Sequence, residues 1–578
     1  MPLDFRNTNT LCTSVFVQTL AQIGLKLAVL CPGYRCTPLT VAFAAHPDIE
    51  AIAILDERSA AFFALGQAKQ TGAPVVLVCT SGTAGANFYP AIIEAHHAQV
   101  PLLVLTGDRP PELHHCHAGQ TIDQLKLYGH YPNWQAELAL PEATLSAASY
   151  WRQMALQAWR RCHLPHRGVV HLNCPFRKPL EPIAPPPLTQ AKLADLQAQI
   201  DPQTFFAPCQ PLQVPRAAPL TLPTLPTTRG LIIAGLAQPD DPAAYGQAVA
   251  QLAEQTQYPV LAAGLSPLRN WTALNPALVT QYERILRDRT LPNQLTPQLV
   301  IQLGELPTSK VLQQWLAAHQ VPRWIIAPQP ENFDPLHGPS QLFMGAIEQG
   351  VQFETDPIHP QEPGDKSYLI QWQTLERRLS QDLARELTAM GDRFEGKVAW
   401  LLSRHLPPET PVMVANSMPV RDVAYFWQGG DRYLRLYFNR GANGIDGTLS
   451  TALGLAHHNQ PTVLLTGDLA LLHDTNGLLS CGKLHGHLTI IVINNQGGGI
   501  FEMLPIAQFE PPFTEFVALP QAVTLQPLCA AYGVEYCRIE TWEQLIELLS
   551  SLPQAGVRLL EVGCDRRADQ ARRRRLLG

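Results

Sequence analysis

Short runs of consecutive apolar residues recur along the chain, each closed by small or polar residues. Val75-Val76-Leu77-Val78-Cys79 is the first clear case, and it stops at Thr80-Ser81-Gly82-Thr83. Such a run predicts a strand buried on both faces, as in a parallel sheet covered by helices on either side. The turn after it carries hydroxyls that suit a helix N-cap, and a helical stretch extends through His97. Residues 102–106 form the next run, which ends in Gly107-Asp108-Arg109-Pro110. The same rhythm returns late in the chain. Residues 462–466 lead to Gly467-Asp468, a helical stretch reaches about Leu484, and 488–493 end in Asn494-Asn495-Gln496-Gly497-Gly498-Gly499. Run-to-run spacing is 27 residues in one block (75 to 102) and 26 in the other (462 to 488). Both read as the βαβ unit of a parallel sheet. Such units are common, so the likeness by itself is modest support for a repeat. Between the two blocks, residues 230–235, 259–263, 299–304 and 323–327 are further apolar runs ending in small residues. They predict a third α/β layer. The expected fold class is α/β, with three parallel-sheet domains.

Proline places the boundaries. Fifty-two of the 578 residues are proline, well above the usual share of about 5%. Thirteen of them fall from Pro175 to Pro226, including Pro185-Pro186-Pro187. Proline fixes φ and has no N–H to donate, so this segment is not expected to sustain helix or central strand. It reads as a semi-rigid linker. A second break, from Asn332 to Asp365, is rich in Pro, Gly and charge. The expected organisation is a first domain over 1–180, a linker over 181–229, a central domain over 230–365 and a last domain over 366–578.

Composition narrows the class. With 46% hydrophobic and 16% charged residues the chain has the means to bury several cores, which excludes wholesale disorder. A net charge of −6 argues against a nucleic-acid binder, which would show a basic face to phosphates. No apolar run approaches the roughly 18–20 residues that span a bilayer. Met1 to Asn9 is polar and lacks an apolar signal core, so secretion is not expected. The twelve cysteines include no CxxC pair and read as reduced thiols of a cytoplasmic protein.

The candidate chemistry lies at strand ends. In open α/β sheets ligands sit outside the carboxyl ends of the strands. Asp468 falls at one such end and Asn495 at the next, 27 residues on (468 to 495). A carboxylate, an amide oxygen and a nearby backbone carbonyl are hard donors of the kind Mg²⁺ takes, and the glycines at 497–499 let backbone approach a ligand closely. A divalent metal bridging a diphosphate fits this pattern; so does a plain strand with an Asn-Gly turn. Glu57, after residues 51–55 and at the start of a helix containing 60–68, is likewise open to two readings. One is a functional carboxyl, the other a first-turn acid that complements the helix dipole.

Gly467-Asp468 followed by Asn494-Asn495 at this spacing resembles the signature of the thiamine-diphosphate (ThDP) enzymes. The resemblance implies Mg²⁺ (or Mn²⁺) held by Asp468, Asn495 and the carbonyl of Gly497, anchoring the diphosphate. It implies that Glu57 hydrogen-bonds the aminopyrimidine and favours its imino tautomer, which removes the thiazolium C2 proton. By the same resemblance Ser81, Gly82, Gly467, Ile445 and Ile500 border the cofactor, Ile445 as the bulky residue beneath its bend.

Seven strings in order look like the MenD family within the ThDP enzymes. They are Cys31-Pro32-Gly33-Tyr34-Arg35-Cys36-Thr37-Pro38-Leu39, Thr80-Ser81-Gly82-Thr83-Ala84 and Gly107-Asp108-Arg109-Pro110-Pro111-Glu112-Leu113, then His171-Leu172-Asn173-Cys174-Pro175-Phe176-Arg177. Asn416-Ser417-Met418-Pro419-Val420-Arg421, Asn439-Arg440-Gly441-Ala442-Asn443-Gly444-Ile445-Asp446-Gly447 and Asn495-Gln496-Gly497-Gly498-Gly499-Ile500-Phe501 complete the set. That family implies a transferase in menaquinone or phylloquinone synthesis, decarboxylating 2-oxoglutarate and adding the succinyl-semialdehyde unit to isochorismate. Both substrates are dicarboxylates, which planar guanidiniums match bidentately. Only nine of the 42 Lys+Arg are Lys, a skew that suits this role. The resemblance implies Ser417, Arg421 and Arg440 on the 2-oxoglutarate side. It implies Arg35, Arg109, Gln120 and Lys310 toward isochorismate, with Phe501 as apolar wall. It also implies a homodimer or dimer of dimers; the charge and the apolar run lengths already give no nucleic-acid partner and no membrane span.

Three positions depart from the family pattern: Leu469 in place of a glycine, Tyr34 where serine is frequent, and Gly119 where some members carry Asn. His114-His115-Cys116-His117 reads as pocket rim or surface, because adjacent residues cannot all face one metal and Zn²⁺ spacing needs gaps. Arg572–Arg575 reads as a charged tail. Two other readings stay open. One is another ThDP-dependent 2-oxo acid decarboxylase or an acetohydroxyacid-synthase-like carboligase. The other is a non-catalytic protein of the ThDP fold, against which the intact Glu57, Asp468 and Asn495 argue.

Overall fold

The computed structural model describes residues 3–212, 218–354 and 366–578. Two compact units share the chain: one holds the residues up to Pro215 with Asn439–Asn459 and His473–His485, and the other holds the rest. The first unit is built on a six-stranded sheet of β1 (Leu27–Leu30), β2 (Glu50–Ala53), β3 (Val75–Cys79), β4 (Leu102–Asp108), β5 (Trp134–Glu137) and β6 (Val169–Pro175), in the order 2-1-3-4-6-5.

The second unit contains two six-stranded sheets and a two-stranded one formed by β7 (Leu220–Leu222) and β14 (Val351–Phe353). One large sheet has β8 (Gly230–Ala234), β9 (Val260–Ala262), β10 (Leu278–Val279), β11 (Leu299–Leu303), β12 (Arg323–Ala327) and β13 (Ser340–Met344), ordered 10-9-8-11-12-13. The other has β15 (Pro411–Val414), β16 (Arg435–Phe438), β17 (Thr462–Gly467), β18 (His487–Asn494), β19 (Glu535–Arg538) and β20 (Gly556–Gly563), ordered 16-15-17-18-20-19. Counted from its own first strand, this last order is again 2-1-3-4-6-5. The repeat read from spacing therefore extends over whole sheets, with β3–β4 and β17–β18 in matching places.

All pairings within the three large sheets are parallel. The unbroken apolar runs follow from that. In β8, Leu231 and Ile233 pack into one core cluster while Ile232 and Ala234 pack into another, so both faces of the sheet are dry. Among the described residues no helix is long and apolar enough to cross a membrane, and all twelve cysteines are free.

The expectation of a helix-free linker is corrected. Pro187–Gln199 and Pro202–Phe206 are helices, and β7 lies further along the same stretch. The physical reason is position: Pro187 and Pro202 open their helices, where the missing N–H has no intrahelical partner to lose and the fixed φ is already helical. Leu193, Leu196, Ile200, Phe205 and Phe206 pack into the first unit's core. The second break likewise contains β13, β14 and part of the sheet edge. Residues 213–217 of the first segment and 355–365 of the second lie outside the described residues.

In the first unit, helix Glu57–Thr71 lies on helix Thr448–Ala456 through small residues. A Cβ on Gly66 would fall on the Thr451 carbonyl oxygen, and one on Gly454 would fall on that of Phe63. Gln67 Nε2 donates to the His457 carbonyl at 2.7 Å beside this crossing. Gly66→Ala should gain about 1 kcal/mol of helix propensity. It should lose more by forcing the two backbones apart, giving a net destabilisation of about 2 kcal/mol. Urea unfolding would check this, and a variant as stable as the parent would mean that the helices separate freely.

Candidate active site

The first unit gathers candidate side chains at the carboxyl ends of four neighbouring strands. Arg35 follows β1, Glu57 follows β2, Ser81 and Gly82 follow β3, and Arg109 follows β4. Asp56 caps the helix Glu57–Thr71 by accepting from the Arg58 and Ser59 amides, which leaves Glu57 as the first helical residue. Its carboxyl is half-buried, and that burial, with the Asp56 charge adding, raises its pKa above the ordinary glutamate value.

Arg35 is buried and its Nη1 donates to the Phe176 carbonyl at 2.9 Å, while its Nε is buried without a partner. Burial and the nearby Arg109 guanidinium lower the Arg35 pKa. Arg109 donates to the Ser81 hydroxyl, and Gln120 Nε2 donates to the Ser81 carbonyl at 2.9 Å. Arg35, Ser81, Gly82, Arg109 and Gln120 are thus brought together.

A buried network stands behind them. Gln124 accepts from the Gly82 amide at 2.9 Å and donates to Asn173 at 2.8 Å; Asn173 in turn donates to Asp108 at 2.9 Å. Gln124 was not legible as a site residue, since it sits in no strand or motif; its only signal is a polar side chain in a stretch of irregular chain. Arg440 and Ile445 also belong to this unit, both half-buried. Their loop is held by Glu94, whose carboxylate accepts from the Gly441 amide at 3.0 Å and the Ala442 amide at 2.7 Å.

His114 Nε2 lies 2.9 Å from the Arg109 carbonyl, while His115, Cys116 and His117 are exposed. Tyr34 is exposed and donates to Glu181 at 2.5 Å, and a Cβ on Gly119 would meet nothing. Among the described residues, Glu50, His457 and His458 form the one His/carboxylate group compact enough for a metal. His457 Nδ1 accepts from the His485 amide at 3.2 Å, so its ring proton sits on Nε2, directed at Glu50 Oε1 at 3.1 Å. That nitrogen has no lone pair to give, and the group is a latch between loop and strand.

In the second unit β15, β17 and β18 are adjacent, and the Gly467↔Ile493 register brings Asp468 and Asn495 to the same end. Asp468 Oδ2 accepts from the Gly497 amide and Oδ1 from the Leu469 amide, each at 2.8 Å. Burial raises the Asp468 pKa, with the charge of Glu395 contributing in the same direction. Gly497 has φ +122°, and a Cβ there would fall on the Ala518 carbonyl oxygen, so this turn requires glycine. Its own carbonyl accepts from the Gly499 amide at 2.9 Å, which leaves one lone pair. Asn495 Nδ2 donates to Glu395 at 2.9 Å, whereas Asn495 Oδ1 is buried with no hydrogen-bond partner. An orphaned amide oxygen beside a buried carboxylate and a backbone carbonyl is a donor set that fits a small hard cation.

Ser417 precedes helix Met418–Phe426 with φ +71°, a region that strains any non-glycine residue by roughly 1–3 kcal/mol and is found where function demands it. Arg421, one turn later, donates to the Ser417 carbonyl at 2.7 Å, and burial lowers its pKa. Ile500 and Phe501 are half-buried on the 3₁₀ turn Gly499–Met503. A Cβ on Gly467 would meet nothing within 4 Å, so the backbone there is open to a ligand. Lys310 opens helix Lys310–His319 with an exposed side chain.

The charged-tail expectation for Arg572–Arg575 is corrected. Arg573 is buried and bonded to Glu395 and Asp422. The signal for it was helical spacing: Asp569, Arg573, Leu576 and Leu577 form the one buried stripe of helix Arg566–Leu577.

Comparison with known proteins identifies the family. Three models match: the N-terminal TPP-binding domain of thiamine pyrophosphate enzymes over residues 12–127, their middle domain over 209–414 and their C-terminal TPP-binding domain over 423–562. A 2-succinyl-5-enolpyruvyl-6-hydroxy-3-cyclohexene-1-carboxylate synthase of Microcystis aeruginosa is 53% identical over 567 residues, covering 98% of both chains. Synthases of the same name from Gloeothece citriformis and a Nostoc species are each 52% identical, covering 98% or 99% of this chain and 98% of their own. Among solved structures, benzoylformate decarboxylase from Polynucleobacter necessarius superposes with a TM-score of 0.63 at 18% identity, covering 96% of this chain and 98% of its own. A putative thiamin diphosphate-dependent enzyme from Mycobacterium smegmatis gives 0.64 at 16%, covering 96% and 99%. At those identities the two structures speak for the fold. The chain belongs to the thiamine-pyrophosphate enzymes and, within them, to the family of 2-succinyl-5-enolpyruvyl-6-hydroxy-3-cyclohexene-1-carboxylate synthases.

Proposed function

We propose that this chain decarboxylates 2-oxoglutarate and transfers the succinyl-semialdehyde unit to isochorismate, using ThDP and Mg²⁺ (or Mn²⁺), as a cytoplasmic homodimer or dimer of dimers. In this reading residues 1–180 bind the pyrimidine, 230–365 form the central domain and 366–578 bind the diphosphate and metal. When bound, ThDP supplies the electron sink for decarboxylation. Asp468, Asn495 and the Gly497 carbonyl would hold the cation; Gly467, Ser81, Gly82, Ile445 and Ile500 would border the cofactor. Glu57 holds and moves a proton at its carboxyl oxygens. Arg421 and Arg440 pair with the carboxylates of 2-oxoglutarate beside Ser417, Phe501 excludes water, and Arg35, Arg109, Gln120 and Lys310 receive isochorismate.

The observation that carries this reading is the paired guanidinium of Arg35 and Arg109. Two like charges come together, offset only in part by the Asp108 carboxylate, where one of them keeps a buried, unpartnered Nε, an arrangement that an anionic occupant completes. Arg35→Lys keeps the charge and loses the planar fork. A charge-assisted hydrogen bond is worth about 1.5–3 kcal/mol, so KM for isochorismate should rise about tenfold to a hundredfold with KM for 2-oxoglutarate unmoved. The reaction itself is tested by turnover of isochorismate with 2-oxoglutarate, ThDP and Mg²⁺, following acceptor loss and product mass together. Acceptor consumed only with all components present, and a product bearing the succinyl unit, is the expected result. Release of CO₂ with the acceptor untouched would make the protein a decarboxylase instead.

A further inference from the structure

We propose that Arg573, in the C-terminal helix, is a positioning residue that ties the metal-ligand loop to the helix that binds 2-oxoglutarate. The inference rests on the reading of Asp468, Asn495 and Gly497 as metal ligands and of Arg421 as a donor-substrate residue.

An asparagine amide is nearly symmetric in shape, so something must decide which end faces a cation. Here that choice falls to Glu395. Its Oε2 takes the Asn495 Nδ2 at 2.9 Å, and a carboxylate accepts only, so the amide oxygen is left facing the other way, buried and unpartnered. Glu395 is itself fixed at both ends. Its backbone amide donates to Asp569 Oδ2 at 3.2 Å, and its Oε1 accepts from Arg573 Nη2 at 2.6 Å.

The same guanidinium reaches Asp422 Oδ1 with Nη2 at 2.7 Å and Nε at 3.1 Å. Asp422 follows Arg421 on helix Met418–Phe426. Arg573, Glu395, Asp422 and Asp569 are all buried, so this ion group is shielded from solvent and its geometry is held by packing as well as charge. One planar group therefore fixes two elements: the start of helix Glu395–His405, which orients the metal ligand, and the helix that carries Arg421 and follows Ser417. Lysine has charge but no fork and cannot serve both carboxylates in fixed directions.

The test uses the full-length enzyme and two readouts. Calorimetric titration with ThDP at a series of Mg²⁺ concentrations gives an apparent Mg²⁺ constant independent of turnover, and steady-state assays give KM for each substrate. Arg573→Lys should raise both the Mg²⁺ constant and KM for 2-oxoglutarate by about tenfold or more, leaving KM for isochorismate within about twofold. The two arms separate in single variants that keep the guanidinium. Glu395→Gln should move the Mg²⁺ constant only, and Asp422→Asn should move KM for 2-oxoglutarate only. Should Arg573→Lys fail to fold, these two variants still decide the matter. Loss of active protein with both constants unchanged would overturn the proposal, as would either single-arm variant moving both constants. Asn495→Leu is the control for the underlying reading: an unaltered Mg²⁺ constant there would remove the metal site itself rather than the tie to it.

Discussion

Glu57→Gln is expected to lower kcat by about 10²–10⁴-fold while ThDP still binds, with its dissociation constant changed less than about threefold. The argument turns on two effects of opposite sign at one carboxyl. As the first residue of helix Glu57–Thr71, Glu57 sits where the helix dipole favours negative charge, which would lower its pKa. The net direction is upward: partial burial and the neighbouring Asp56 outweigh the terminus. A carboxyl serving only the dipole would be worth about 0.3–1 kcal/mol of stability, and its replacement by Gln would leave turnover alone. A carboxyl whose pKa is raised by burial at a strand end is instead better suited to exchanging a proton at its oxygens. Gln keeps the size and the hydrogen bonds and cannot carry that proton. The parent's rate should fall at low pH through a limb lying above the ordinary glutamate range, because below its folded pKa the carboxyl is already protonated. The variant should lack that limb. Turnover within threefold of the parent would return Glu57 to the role of a helix-end acid.

The fold was legible where local pattern and global position agree. Val75–Cys79 and residues 462–466 read as buried strands because parallel strands covered on both faces need no alternation. Asp468 and Asn495 could be placed together because each ends a strand of one βαβ unit, and such strands pair in register. Two things were hidden. The helices Pro187–Gln199 and Pro202–Phe206 were masked by their own prolines, which break a helix interior and yet suit its first turn. The supports of the site were hidden by separation: Glu395 and Arg573 meet across 178 residues of chain, and Gln124 reaches Gly82 across 42. No spacing rule encodes such pairs, because they depend on how whole elements pack. Arg573 is the instructive case. A run of four arginines signals a solvated face by composition, whereas the period of Asp569, Arg573 and Leu576–Leu577 marks one of them as inward.

Asp468→Asn should abolish the gain in thermal stability that Mg²⁺ and ThDP confer and raise the ThDP dissociation constant at least about 100-fold. A ligand held 100-fold above its dissociation constant stabilises the folded state by about 2.7 kcal/mol, so the lost shift is large enough to read by calorimetry without any assay of turnover. The behaviour of the cofactor-free protein makes the prediction sharper. Asp468 is buried, and the carboxylate of Glu395 lies close enough for its charge to be felt. With no cation present, two negative groups share a poorly solvated space at a desolvation cost. An isosteric amide at 468 removes one of those charges, keeps an oxygen that accepts from the Gly497 amide and gives up the bond from the Leu469 amide, a smaller cost than the buried charge it relieves. The cofactor-free variant should therefore unfold at the same temperature as the parent or higher, while the parent overtakes it once Mg²⁺ and ThDP are added. A carboxylate that merely organised the turn would give the reverse: a loss without cofactor, and an undiminished shift with it. The crossing of the two stability orders is the signature of a residue whose charge is disfavoured alone and required by the ion it holds.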